Sequence, residues 1–156
     1  MNLNEIKDIV FSNIDNLKML EFKGKEESIY SHKPNTGKFA EIRNLVNEEI
    51  SLVEARYKVQ CMLAVYYPPG GGLGWHTNAD ANMYNAIYTY STSNESYLQI
   101  IEDKIMDSQD VWTLKTTYWS KENPSPHRVV SKGHRITITF SSPDEYRIKD
   151  LINEIE

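Results

Sequence analysis

The sequence predicts a mainly β protein with flanking helices, which places it in the α+β class. From residue 57 to about residue 142, runs of strand-forming residues alternate with turn signals every 8–12 residues or so, as in a sandwich or barrel of antiparallel strands. Before and after this region, the apolar residues recur at helical spacing. Helices that cover one face of an antiparallel sheet are a common α+β arrangement.

The 156 residues are most simply one domain. We divide it into helical support (1–56), a β core (57–142) and a C-terminal helix (143–156). The apolar spacing predicts a first helix over residues 3–18, capped by Asn2 or Asn4. A second helix is predicted from Lys38, with Thr36 at the cap position. Between the two helices, 20–23 and 28–32 are predicted to be short strands or irregular connections.

The β core is predicted from seven segments of high strand propensity. They are Val59–Tyr67, Tyr84–Tyr90, Tyr97–Ile101, Val111–Lys115, Thr117–Trp119, His127–Val130 and Arg135–Ser141. After them, Pro143 and Asp144 signal the start of a helix that is predicted to run from Glu145 to Ile155.

Composition and charge argue against several classes of function. The net charge is −5 and the basic residues do not cluster, so the chain lacks the electrostatic signature of a duplex nucleic-acid binder. No apolar run approaches the roughly 20 residues that span a membrane. Cys61 is the only cysteine, which favours a reducing compartment, and the N-terminal stretch does not resemble a signal peptide. We therefore expect a cytoplasmic protein with a small-molecule or peptide substrate.

The residues with the clearest chemical potential follow a Pro/Gly turn. The turn spans 68–72, and because side chains alternate along an extended chain, His76 and Asn78 just after it share one face. His127 comes 51 positions after His76 (127 − 76), at the start of a later predicted strand. Arg135 and Thr137 share one face of the last predicted strand.

Two histidines from different strands, with a third ligand two residues after the first, match the facial triad of non-haem Fe(II). Such a triad leaves coordination positions for a cosubstrate and O2. A buried Arg135 is costly unless it meets an anion, and a dicarboxylate bound to iron at one end and to Arg135 at the other would supply one. Tyr66 and Thr137 could add hydrogen bonds.

These motifs resemble the prolyl 4-hydroxylase-like branch of the Fe(II)/2-oxoglutarate dioxygenases, over about residues 59–141. The matching features are a strand ending in Tyr66, the Pro/Gly turn, the His76-Thr-Asn78 run, the distal His127-Arg-Val run and Arg135 opening an apolar strand. The resemblance implies a double-stranded β-helix (jelly roll). It also implies Fe(II) bound by His76 and His127, and 2-oxoglutarate bound by Arg135 and Tyr66, for hydroxylation of an unidentified substrate.

The chain departs from the family's pattern at Asn78, where the family carries a carboxylate. Two outcomes keep a metal site: Asn78 binds iron through its amide oxygen, or it leaves the position open and the two histidines alone hold the metal. Asp80 is a poor substitute on a regular strand. A third outcome is a catalytically degenerate jelly-roll module for binding or assembly, for instance a phage-encoded structural component. A sugar-binding or isomerase cupin is a weaker alternative, because cupin sites usually hold more His and Glu close together.

Overall fold

The computed structural model describes residues 1–27, 34–78 and 82–155, without the side chains of 22–27, 34 and 35. In these ranges the chain forms three α-helices: α1 (Leu3–Ser12), α2 (Asn47–Tyr57) and α3 (Glu145–Glu154). The strands, in chain order, are β1 (Leu20–Glu27), β2 (Pro34–Glu41), β3 (Gln60–Tyr67), β4 (Gly72–His76), β5 (Met83–Ser91), β6 (Tyr97–Ile100), β7 (Asp103–Met106), β8 (Trp112–Trp119), β9 (His127–Val130) and β10 (Arg135–Ser142). None of the helices in the described ranges has the length and apolar character needed to span a membrane.

The strands form one curled sheet in the order β7-β6-β9-β4-β2-β3-β10-β5-β8, with β1 added beside β2. The pairings between these strands are antiparallel, which confirms the mainly antiparallel β prediction. Strand β2 joins the two halves of this sheet, β7-β6-β9-β4 and β3-β10-β5-β8, because its middle pairs with β4 and its end pairs with β3. The chain alternates between the halves, from β3 to β4, β5, β6 and β7, then β8, β9 and β10. This order is consistent with a jelly roll.

The two faces of β10 have different partners because successive side chains point to opposite sides. Ile136, Ile138 and Phe140 lie in the apolar core with buried residues of the three helices. Core residues contributed by the helices are Ile6, Val10, Ile50, Val53, Ile148 and Leu151. The alternate residues Arg135 and Thr137 line a cavity on the other side of the sheet.

The N-terminal third differs from its prediction. Phe39, expected in a helix beginning at Lys38, lies on β2, and the helix begins only at Asn47, after a short 3-10 helix at Arg43–Leu45. The prediction failed because apolar residues three to four apart also arise where a strand, a 3-10 turn and a helix follow in sequence. The region 1–56 therefore contributes two strands as well as helices.

The first helix is also shorter than predicted. Asn2 caps α1, as expected, by accepting a hydrogen bond from the Glu5 backbone N–H at 3.1 Å. The helix ends at Ser12, where the Asn13 side chain donates to the Ile9 carbonyl at 2.7 Å. A 3-10 helix (Ile14–Asn16) follows. Strand β7 was not predicted, the two segments predicted between 111 and 119 form the single strand β8, and the segment 28–32 lies outside the described residues.

Candidate metal centre

The Pro/Gly turn brings His76 and His127 together by allowing two strands to approach closely. Gly72 has φ +152°, and a Cβ at that position would lie 2.3 Å from the Val129 carbonyl oxygen. Only glycine fits such an approach without a shift of the backbone. Strand β4 can therefore pair with β9, and in that register His76 lies directly opposite His127.

The two imidazoles are in contact, and both can use the same ring nitrogen for a ligand. Their ring centroids are 4.2 Å apart, at an interplanar angle of 60°. Nδ1 of His76 lies 2.7 Å from the Gly74 carbonyl, and Nδ1 of His127 lies 2.9 Å from the Ser125 carbonyl. Since a carbonyl oxygen only accepts, each Nδ1 carries the proton and each Nε2 keeps its lone pair.

The surroundings keep both rings neutral. Burial lowers the pKa of His76 below its ordinary value. Burial, together with the neighbouring charge of a protonated His76, lowers the pKa of His127 to about 4. Trp119 stacks on His127, with centroids 4.4 Å apart and planes within 3°. A neutral imidazole is the form that binds a metal.

Asn78 lies beside this pair, but it does not supply a charge. Its Nδ2 is 3.3 Å from Nε2 of His127. Rotation of the amide exchanges its donor NH2 for its acceptor oxygen, so the same position can offer an oxygen ligand. The described residues contain no cluster of three or more His, Cys, Asp or Glu that could hold a metal. Two imidazole nitrogens and an amide oxygen form a neutral donor set, whose chemistry fits a divalent metal such as Fe(II).

Arg135, in the wall of the cavity, forms a buried ion pair with Asp107 that the sequence did not predict. Arg135 is 2% exposed, and its Nε and Nη2 donate to the two carboxylate oxygens of Asp107 at 2.7 and 3.3 Å. Its Nη1 donates to the Thr137 hydroxyl at 2.8 Å, and its guanidinium lies 5.6 Å from the Tyr67 ring centroid. Of the five N–H groups of an arginine, these bonds use three. The Asp107 carboxylate therefore neutralises the buried Arg135 guanidinium. The sequence predicted that a bound dicarboxylate would do this.

The cavity between the sheet halves has a volume of about 280 Å³ and a largely apolar wall. Its polar lining residues include both histidines and Arg135. Apolar residues of its wall include Leu63, Leu73, Ile87, Leu98 and Val129. A cavity with this lining favours a small ligand held by a few polar groups.

Five of the six predicted site residues line this cavity, and one does not. The five are His76, Asn78, His127, Arg135 and Thr137. Tyr66 instead lies in the apolar core, where its hydroxyl contacts Nδ1 of His134. This corrects the prediction that Tyr66 contacts a cosubstrate: the cavity-facing residue of the pair is Tyr67, which lies opposite Arg135 in the strand register. Asp80, the alternative ligand, lies outside the described residues.

Comparisons with known proteins give little further information. No family model matches the chain, and neither does any curated protein. Among solved structures, the chain is similar to one described as a predicted oxalate decarboxylase from Thermotoga maritima, at 8% identity and a TM-score of 0.38. The match covers 81% of this chain and 92% of that one. At this TM-score the likeness carries no argument about the activity of this chain.

Proposed function

We propose that the protein is an Fe(II)- and 2-oxoglutarate-dependent oxygenase that hydroxylates a small-molecule or peptide substrate. The observation that carries the proposal is the meeting of His76 and His127, each with an unprotonated Nε2, in the wall of a cavity that also holds the guanidinium of Arg135. A metal site and a carboxylate anchor in one small cavity are what such a reaction needs.

In this proposal His76 and His127 hold the iron through Nε2, and Asn78 offers its amide oxygen as the third ligand. The carbonyl partners of the two Nδ1 atoms orient the rings, and burial keeps both rings unprotonated. Iron, when bound, would supply the activation of O2. The apolar part of the wall would exclude water from the reaction.

Arg135 would bind the far carboxylate of 2-oxoglutarate through the N–H groups that remain after its bonds to Asp107 and Thr137. Thr137 accepts a hydrogen bond from the guanidinium, and its own O–H would be left to donate to the cosubstrate. Tyr67 beside it stays a neutral phenol, because burial raises its pKa to about 12.

The proposal is tested by 2-oxoglutarate turnover. Purified protein is reconstituted anaerobically with Fe(II), then given 2-oxoglutarate and O2, and succinate is measured with and without candidate substrates. We expect succinate from the wild-type protein and none from His127→Gln, which removes one imidazole. The matched control is His134→Gln, since His134 does not line the cavity. Absence of succinate from iron-loaded wild-type protein would refute the proposal.

The Arg135–Asp107 pair favours a second candidate function, a jelly-roll module that binds a ligand or partner without catalysis. With its charge cancelled inside the fold, Arg135 can serve the structure alone. This candidate predicts that neither Fe(II) nor 2-oxoglutarate changes the thermal stability of the protein, whereas the oxygenase predicts that both raise it.

A further inference from the structure

Asp107 lies behind the cavity wall, where it is buried and bonded to the cavity-lining Arg135. It follows β7 directly, its side chain is 6% exposed, and its backbone N–H donates to the Ser96 carbonyl at 2.8 Å. A carboxylate held this way is already in place when a ligand arrives.

The pairing leaves Arg135 with little to offer a second anion. Asp107 takes the edge of the guanidinium formed by Nε and Nη2, and Thr137 takes one N–H of Nη1. One N–H on each Nη remains. A ligand carboxylate that reaches them meets a neutral ion pair rather than a free cation, and it is repelled by the Asp107 carboxylate.

We infer that Asp107 is a specificity-determining residue that competes with the ligand's far carboxylate for Arg135, so that the cavity discriminates weakly between a dicarboxylate and a 2-oxo acid with an apolar end. This inference rests on the proposed function, since it concerns the same cosubstrate. In the wild-type protein the far carboxylate of 2-oxoglutarate then adds little affinity. Neutralising Asp107 frees the guanidinium for the ligand and raises the affinity for dicarboxylates alone.

The test compares two probes, 2-oxoglutarate and 2-oxopentanoate. The second probe has a methyl group where 2-oxoglutarate has its far carboxylate. Both are titrated calorimetrically into Fe(II)-loaded protein under anaerobic conditions. For the wild-type protein we expect dissociation constants within about threefold of each other. For Asp107→Asn we expect 2-oxoglutarate to bind about tenfold more tightly than to wild type, the gain from one charge-assisted pair, with 2-oxopentanoate unchanged.

The control variant is Asp103→Asn, which removes the same charge from an exposed position on β7 and should bind both acids as wild type does. Unchanged or weaker binding of 2-oxoglutarate by Asp107→Asn would overturn the inference. If that variant does not fold, the wild-type comparison decides: a preference for 2-oxoglutarate above about tenfold overturns the inference and leaves the proposed function standing. If neither acid binds either protein, the proposed function fails and the inference fails with it.

Discussion

Disruption of the buried Arg135–Asp107 pair should destabilise the fold far more than disruption of an exposed ion pair. The two side chains are 2% and 6% exposed and are joined by two hydrogen bonds. Removal of one partner leaves the other charge buried and unpaired, which typically costs about 3–5 kcal/mol. We therefore expect Asp107→Ala and Arg135→Met each to lose about that much free energy of unfolding. At about 2–4 °C per kcal/mol for a chain of this size, the Tm falls by roughly 6–20 °C.

The double variant Arg135→Met/Asp107→Ala should lose less than the sum of the single losses, because neither charge is then stranded. The assay is equilibrium unfolding in urea, with the slope of the transition as a check on two-state behaviour. As a control, Glu145→Ala breaks the exposed Glu145–Lys149 pair, whose partners are 52% and 68% exposed, and should cost about 1 kcal/mol or less. Single losses below about 1 kcal/mol for the buried pair, or losses that simply add, would refute the reasoning.

Three further predictions concern the metal centre and the turn that builds it. Asn78→Asp should raise the affinity for Fe(II) by about tenfold or more, since a carboxylate adds a negative charge to a neutral donor set. Anaerobic titration with Fe(II) measures the affinity. An unchanged affinity would exclude position 78 from the ligand set. Because burial lowers the folded-state pKa of His127 to about 4, the unfolded chain binds the proton more readily. The free energy of unfolding should therefore fall between pH 6.5 and pH 4, for this residue by at most about 3 kcal/mol, and urea unfolding of His127→Gln over that range should show a shallower fall; parallel curves would contradict this. Gly72→Ala should destabilise the protein by about 2 kcal/mol more than Gly70→Ala. An added Cβ at position 72 meets the Val129 carbonyl at 2.3 Å, whereas one at position 70 meets nothing within 4 Å. Equal losses of free energy of unfolding in urea would show that the contact between Gly72 and the Val129 carbonyl does not require glycine.

Most strands of the β core were readable from the sequence, because each combines high strand propensity with turn residues at its ends; the exceptions are β4 and β7, which were not among the predicted segments. The boundaries predicted for β3, β9 and β10 lie within one residue of those observed. Strand β2 was not readable, since Phe39 and Ile42 fit a helix as well as a strand followed by a turn. Local pattern cannot distinguish these, whereas pairing of β2 with both halves of the sheet decides it.

At the site, the sequence identified the residues with distinctive chemistry. It missed the residues whose role depends on which face of a strand they occupy or on a distant partner. His76 follows the Pro/Gly turn and His127 opens a later predicted strand after Pro126, and the two side chains do converge. Tyr66 was preferred to Tyr67 because it matched the family resemblance, and the residues from 62 to 65 are all apolar, so no polar alternation shows which tyrosine faces the cavity. Asp107 follows a strand that was not predicted, and its partner is 28 residues away. Such a pair leaves no local signal.

The central claim is that His76 and His127 together form a metal site. Anaerobic calorimetric titration of metal-free protein with Fe(II) tests it most directly, on the wild type and on His76→Ala and His127→Ala. The account predicts one iron per chain for the wild type and loss of binding in each variant, with retained folding checked by circular dichroism. Iron binding of the same stoichiometry and affinity in either variant would contradict it.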